Sequence, residues 1–306
     1  MAMQEPVLDD LAHYRLATEI AGMDVPELCL PEHHDVVIGR MRLHYLDWGT
    51  ADRPPIVFLH GGGLTAHTWD LICLALRADY HCLALDQRGH GDSEWSPELH
   101  YGPEAHLADL EGFIDRLGLE RLALVGQSMG ALNAFVYATR HPDRLTGLVL
   151  IDAGPRVREA GTQRIADFLH DTAEVDSIEE LVEKAALFNP LRDRRLLRWS
   201  LRRNLRRLPN GRWIRKTDMR WLHRDARTMA ARFQDAWRGE SSVTCPTLVV
   251  RGAASDVFAD EDAAAFARAL PDGRWVTIEG AGHTVQGDTP RRLCEVLREF
   301  LAAPQR

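Results

Sequence analysis

Six short apolar runs recur along the chain, each bounded by glycine, proline or polar residues. They are continuous rather than alternating, which is typical of strands covered by helices on both faces of a parallel sheet. These predicted strands fall at residues 55–60, 81–86, 121–126, 145–152, 246–252 and 274–280. An earlier segment, VVIGRMRLHYLDWG, predicts two shorter strands around Gly39, since apolar residues alternate at Met41, Leu43 and Tyr45.

Amphipathic segments between these runs predict helices, namely PEAHLADLEGFIDRLG, SMGALNAFVYATRH, DEDAAAFARAL and TPRRLCEVLREFL. Strand and helix alternate on both sides of residues 155–240, which predicts one α/β domain built from residues 36–154 and 241–306. Its sheet is expected to be doubly wound and mostly parallel. Residues 1–35 form an N-terminal extension with one short amphipathic helix, LAHYRLATEI, and no role follows from its sequence.

Residues 155–240 lack a comparable apolar run and instead show helical periodicity, with breaks at residues 189–190 and 208–211. The pattern predicts an all-helical insertion between two strands of the sheet. This insertion holds 20 basic and 13 acidic side chains, a net charge of +7, against 17 and 32 in the remainder. Because 35 of the 37 basic residues are arginine, a coding bias spread over solvated helix faces explains the excess, and no nucleic-acid-binding motif accompanies it.

Composition excludes several classes of protein. With 306 residues, 45% hydrophobic and 7% aromatic, the chain is neither fibrous nor disordered. It contains no apolar run near the roughly 18 residues that a membrane helix needs, and its start, MAMQEPVLDD, lacks the pattern of a signal peptide. Five cysteines without metal-ligand spacing indicate reduced thiols. We therefore expect a cytoplasmic protein with no membrane or nucleic-acid partner and no metal site; the oligomeric state is left open.

The strongest local motif is GQSMG at residues 126–130, which follows one predicted strand and precedes a helix. This is the context of a G-x-S-x-G nucleophile elbow, in which small flanking residues permit a sharp and strained turn. Ser128 would then project at the carboxyl end of the sheet and at the amino end of a helix, where negative charge is favoured. The motif predicts Ser128 as a catalytic nucleophile.

A serine nucleophile needs a base, and the base needs a carboxylate that fixes its tautomer. His283 lies in a glycine-rich loop, GAGH, directly after the last predicted strand. Asp256, in RGAASD, follows the preceding strand and gives the chain order serine, aspartate, histidine. Asp152, at the end of LVLID, is the alternative acid, because that strand end also borders the expected site.

Two backbone N–H groups are expected to hold the oxyanion of the reaction. The loop HGGG, residues 60–63, follows a predicted strand and supplies one donor, assigned to Gly62 with Gly63 as the alternative. Met129, the residue after the nucleophile, supplies the second. A further motif, DQRGHGDS at residues 86–93, is interpreted as a structural loop near the pocket.

Taken in order, HGGG, DQRGHGDS, GQSMG, RGAASD and GAGH resemble the α/β-hydrolase fold superfamily over about residues 36–302. The resemblance implies a core sheet of about eight strands, with residues 155–240 as a cap inserted after the strand that ends at Asp152. It also implies a two-step acyl transfer through Ser128 without a metal or an organic cofactor.

Three functions remain open at this point. The leading one is hydrolysis of a carboxylic ester or lactone of a small to medium hydrophobic molecule, with aromatic residues in the cap: Phe168, Phe188, Trp199, Trp213, Trp221, Phe233 and Trp237. The second is C–C bond hydrolysis with a cap arginine on a carboxylate, as in meta-cleavage-product hydrolases. This chain departs from those enzymes at Leu64-Thr65, Gln127 and Gly130-Ala131. The third is a ligand receptor on a hydrolase scaffold.

Overall fold

The computed structural model describes residues 10–220 and 235–303. Its main feature is an eight-stranded sheet. The strands of this sheet are, in chain order, β1 (Glu32–Ile38), β2 (Met41–Asp47), β3 (Pro55–Leu59), β4 (His81–Leu85), β5 (Leu122–Gln127), β6 (Leu145–Ile151), β10 (Thr247–Gly252) and β11 (Gly273–Ile278). Across the sheet their order is β1-β2-β4-β3-β5-β6-β10-β11. The six predicted apolar runs correspond to β3, β4, β5, β6, β10 and β11.

Strand β2 is antiparallel to both of its neighbours, and the other neighbouring pairs are parallel. The two strands predicted around Gly39 are β1 and β2, and this glycine turns the chain with a φ of 59°. Strand β1 begins at Glu32, four residues before residue 36, where the sequence predicts that the α/β domain begins. The reason is that Glu32 pairs with Asp47, the last residue of β2.

Helices cover both faces of the sheet, as a doubly wound fold requires. The α-helices of the described residues, including α5, α6 and α7 between β6 and β10, are in chain order α1 (Asp10–Ile20), α2 (Asp70–Leu76), α3 (Pro103–Arg116), α4 (Met129–Arg140), α5 (Glu159–Asp171), α6 (Ile178–Phe188), α7 (Arg194–Arg203), α8 (Asp260–Ala269), α9 (Val285–Asp288) and α10 (Pro290–Leu301). Helices α3, α4 and α8 contribute to one hydrophobic core, while α1, α2 and α10 contribute to the other. Within the described ranges, no helix has the length and apolar character required to cross a bilayer.

We call residues 155–240, which lie between β6 and β10, the inserted segment. The sequence predicts an all-helical segment, and this prediction is wrong because the segment also contains strands. Besides α5, α6 and α7 it contains an antiparallel sheet of β7 (Glu174–Val175), β9 (Trp213–Arg215) and β8 (Leu205–Arg207). Residues 208–211 form the hairpin turn between β8 and β9, where Gly211 adopts a φ of 89°. Arginine-rich flanks concealed the strands, since their few apolar residues fit a helical period as well.

The N-terminal extension packs against both parts of the protein. Tyr14 of α1 is fully buried, and its hydroxyl donates a hydrogen bond of 2.9 Å to the Asp70 carboxylate at the start of α2. Its ring also meets Trp199 of α7 edge to face at 5.1 Å. Helix α1 therefore links the core sheet to the inserted segment.

Candidate active site

Ser128 occupies a strained turn between β5 and α4. Its φ of 53° and ψ of −117° are outside the regions that a residue with a side chain normally adopts. A Cβ on Gly126 would collide with the Gly130 backbone, and one on Gly130 would collide with the carbonyl oxygen of Leu59. Only glycine fits at these two positions, which is the arrangement that a nucleophile elbow requires.

His283 lies in the loop after β11, and Asp152 is its carboxylate partner. The Nδ1 atom of His283 donates a hydrogen bond of 2.7 Å to Oδ2 of Asp152. Asp152 is fully buried, and it also accepts hydrogen bonds from the Ser255 hydroxyl at 2.5 Å and the Gly252 N–H at 3.1 Å. A buried carboxylate with three donors is held in a fixed position. The hydrogen bond to Asp152 thereby orients the His283 ring, and the Nε2 atom of the ring takes no part in that bond.

The predicted pairing of Asp256 with His283 is wrong. The Asp256 side chain is 42% exposed and forms an ion pair of 3.2 Å with Arg164 of α5. The reason lies one residue earlier, because the Ser255 side chain turns inward to Asp152 and is 4% exposed, so that Asp256 turns toward the inserted segment. The carboxylate that reaches the base comes from the end of β6, the alternative position.

The HGGG loop passes directly over the elbow. A Cβ on Gly61 would lie 3.2 Å from Cβ of Ser128. Among residues 10–220 and 235–303, no protein acceptor receives the N–H of Gly62 or of Met129. Gly63, with a φ of 75°, lies beneath Leu169 of α5 and leaves no room for a Cβ. Within the described residues, the loop therefore has an unpaired N–H group close to Ser128, and it contacts the inserted segment through its third glycine.

A buried polar network holds this loop from below. His60 is fully buried, and its Nδ1 donates to the carbonyl oxygen of Gly61 at 2.8 Å, while its Nε2 accepts from the Gln87 N–H at 3.0 Å. Burial lowers the pKa of His60, which favours the neutral ring that this pattern needs. The Gln87 amide donates to the His60 carbonyl at 2.6 Å and accepts from Asn133 at 2.6 Å. His60 thus ties the HGGG loop to the start of the DQRGHGDS loop.

Sequence reasoning missed Gln127 as a neighbour of the base. Its amide nitrogen lies 3.2 Å from Nε2 of His283 and donates a hydrogen bond of 3.0 Å to the His283 carbonyl oxygen. The Oε1 atom of Gln127 is buried and has no partner among the described residues. The only available signal was its position beside Ser128 at the end of β5.

Among the residues that the structure describes, one group of side chains has metal-ligand composition. The potential ligand atoms of His44, Asp86 and Asp92 lie within 4.8 Å of one another. Asp86 accepts hydrogen bonds from His44 at 2.8 Å and from the Ala66 N–H at 2.6 Å, and Asp92 forms an ion pair of 2.7 Å with Lys216. The ammonium group of Lys216 already balances the charge of Asp92. The contacts of these side chains are therefore consistent with the interpretation of residues 86–93 as a structural loop.

Comparisons with known proteins identify a family and several relatives of this chain. A model of the alpha/beta hydrolase fold family matches residues 54–290. An esterase of Mycobacterium tuberculosis, Rv0045c, is 33% identical over 301 residues, which cover 96% of both chains. A crystal structure of that esterase has a TM-score of 0.77 and 32% identity, and the match covers 98% of this chain and 100% of that one.

Two further relatives extend the range of named activities. The sn-1-specific diacylglycerol lipase ABHD11 of Mus musculus is 30% identical, and the match covers 83% of each chain. A crystal structure of E-2-(acetamidomethylene)succinate hydrolase has a TM-score of 0.79 at 25% identity, covering 89% of this chain and 100% of that one. The family match spans well over half of the chain and includes both glycine-rich loops and the elbow. The chain therefore belongs to the alpha/beta hydrolase fold family, as a hydrolase of that fold.

Proposed function

We propose that this protein hydrolyses a carboxylic ester or lactone of a small to medium, largely hydrophobic molecule through an acyl-enzyme on Ser128. The observation that carries the proposal is the hydrogen bond of 2.7 Å between His283 and Asp152 beside the strained Ser128 turn. Asp152 holds the proton on Nδ1 of His283, so the lone pair of Nε2 accepts the proton of the Ser128 hydroxyl.

In the first step Oγ of Ser128 bonds to the acyl carbon while its proton passes to His283. The carbonyl oxygen becomes an oxyanion, which the N–H groups of Gly62 and Met129 stabilise. The ester C–O bond then breaks, and His283 returns the proton to the departing alcohol. In the second step water attacks the acyl carbon by the same route, which releases a carboxylic acid and regenerates Ser128.

Gln127 helps to keep His283 ready for this reaction. Its amide reaches Nε2 of His283 at 3.2 Å, the long end of the hydrogen-bond range, so the Ser128 hydroxyl can compete for the same lone pair. Its second bond, to the His283 carbonyl, holds the loop while the ring accepts a new donor.

The inserted segment acts as the lid over this site. Leu169 of α5 packs on Gly63 of the HGGG loop, so an apolar wall stands next to the oxyanion donors. Several of the predicted cap aromatics serve in packing. Trp237 packs on Phe135 in the hydrophobic core to which α3, α4 and α8 contribute, and Phe168 stacks on Phe188 at 4.4 Å. Trp221 and Phe233 lie outside the described residues. The names of the esterase and lipase relatives support an ester as the substrate.

The proposal is tested with p-nitrophenyl esters of increasing acyl length. The wild-type protein should hydrolyse at least one of them, and Ser128→Ala should lose activity by several orders of magnitude because the nucleophile is gone. Ser200→Ala is the matched control, since in the described ranges the Ser200 hydroxyl bonds only the Leu197 carbonyl of its own helix. Equal rates in Ser128→Ala and the wild type would contradict the proposal. A single turnover with retained product would indicate a receptor instead.

A further inference from the structure

Most arginines that the structure describes in the inserted segment form ion pairs with carboxylates. Arg192, which lies near the candidate active site, does not. Arg194 and Arg198, for example, form ion pairs of 2.6 Å with Glu183 and Glu179. Arg192 has no hydrogen bond or ion pair from its side chain to any other residue in the described parts of the chain, and its Nε atom is buried.

Another buried arginine of the segment differs from Arg192. The Arg215 guanidinium donates to the Thr172 hydroxyl and lies 5.2 Å from the centre of the Phe168 ring. Its cation is therefore accommodated within the inserted segment by a hydroxyl and an aromatic face. Nothing comparable surrounds the Arg192 guanidinium among the described residues.

The Arg192 guanidinium lies beside the loop that carries the catalytic base. A Cβ on Gly287 would lie 2.6 Å from its Nη1 atom and 2.8 Å from its Nη2 atom. Gly287 belongs to α9, the short helix that begins two residues after His283. The absence of a side chain at Gly287 is thus what leaves room for the guanidinium next to the active site.

The nearest acidic side chain, Asp288, is already engaged. Its Oδ1 accepts from the Asn189 amide at 2.8 Å, and its Oδ2 accepts from the Gly282 N–H at 2.9 Å. Asp288 acts on both Arg192 and His283 through its charge, which places all three in one neighbourhood. Burial lowers the pKa of Arg192, and Asp288 only opposes this from a distance.

A guanidinium surrounded by protein without a partner is costly, because the charge has lost water and gained little in return. Part of the Arg192 residue is still accessible to solvent, so a ligand can reach it. Guanidinium groups bind carboxylates through two parallel hydrogen bonds, and this is the most effective way to complete such a site.

We propose that Arg192 binds a carboxylate of the substrate, so that the ester cleaved at Ser128 is a half-ester of a dicarboxylic acid. This inference rests on the proposed function and specifies its substrate class. Hydrolysis consumes one water and yields the dicarboxylate and an alcohol, and Arg192 makes and breaks no covalent bond. The apolar part of the substrate is the chain between its two carboxyl ends.

The test compares monoethyl half-esters from succinate to suberate with neutral ethyl esters of matched length, by titrating the acid released. For at least one length, the wild type should prefer the half-ester by tenfold or more in kcat/KM. Arg192→Gln should lower kcat/KM for that half-ester about tenfold to a hundredfold, the range for hydrogen bonds to charged groups, and change the neutral ester less than about threefold. Arg194→Gln, which removes an exposed and paired arginine of α7, should keep the preference.

A binding measurement separates this inference from the proposed function. Calorimetry with adipate on Ser128→Ala should detect binding, and adding Arg192→Gln should weaken it at least tenfold. No preference for any half-ester, or equal losses on both ester classes together with a lower Tm in Arg192→Gln, would overturn the inference while ester hydrolysis stands. If no ester is hydrolysed but adipate binding depends on Arg192, the proposed function fails and the anion site stands.

Discussion

The Nδ1 atom of His283 lies 2.7 Å from Oδ2 of Asp152, a residue that directly follows β6 and itself has a positive φ of 51°. Ser128, the proposed nucleophile, and Asp152, the proposed acid, therefore stand at the ends of the neighbouring strands β5 and β6, in sharply turned backbone. The proposed base, His283, comes from the loop after β11, the edge strand that lies two positions beyond β6 in the sheet order. The carboxylate that contacts His283 thus follows β6, the neighbour of β5, and not β10, the next strand along, which precedes Asp256.

Ser255 should support catalysis without touching the substrate. Its hydroxyl donates to Asp152 at 2.5 Å and accepts from the N–H groups of Val257 and Phe258, so it fixes the carboxylate behind His283. Ser255→Ala is expected to lower kcat about tenfold, the loss of roughly one hydrogen bond to a charged group. Steady-state kinetics on the best ester would measure this, with KM expected to stay within about twofold. An unchanged kcat would show that Asp152 needs no such support.

Two glycines near the site predict opposite outcomes for one substitution. A Cβ on Gly130 would collide with the Leu59 backbone, whereas one on Gly62 meets nothing within 4 Å. Gly130→Ala should therefore lower the free energy of unfolding by about 3 kcal/mol, the cost of forcing backbone apart in a packed core. Gly62→Ala should fold with a nearly unchanged Tm. Thermal unfolding of the two variants would check the pair, and equal Tm values would contradict the packing described for the elbow.

His90 should make the protein less stable in acid. Burial lowers the pKa of His90 to about 3, with the charge of His60 acting in the same direction, against roughly 6.5 in an unfolded chain. Between these values the unfolded state binds the extra proton, so stability rises with pH and is lost as pH falls from about 6.5 toward 3. His90→Asn should show a shallower fall in unfolding free energy over this window, measured by urea titration at several pH values. A pH dependence in His90→Asn equal to that of the wild type would contradict this assignment.

Much of the fold followed from the sequence because each core strand is an apolar run bounded by turn residues. The positions of Ser128 and His283 in the fold followed for a similar reason, since each lies in a glycine-rich segment after a strand, while their catalytic roles remain proposals. The three-stranded sheet of the inserted segment was not, because its strands are only two or three residues long and rich in arginine.

The choice between the two acids could not be made from spacing. Asp152 and Asp256 both follow strands whose ends border the site, and the decision depends on which side chain the loop after β10 turns inward. That side chain is Ser255, whose hydroxyl completes the surroundings of Asp152. Arg192 was equally hidden, because only the structure shows that, within residues 10–220 and 235–303, its side chain lacks the carboxylate partner that most arginines of the inserted segment have.

Asp152→Asn and Asp256→Asn distinguish the two candidate acids when their kcat/KM values are compared on the same ester, with circular dichroism to confirm that both variants fold. The amide in Asp152→Asn should favour the wrong tautomer of His283 and lower kcat/KM about a thousandfold to ten-thousandfold. Asp256→Asn removes only a partly exposed ion pair with Arg164 and should stay within about threefold of the wild type. A large loss in Asp256→Asn with near-normal activity in Asp152→Asn would contradict the assignment of the active site.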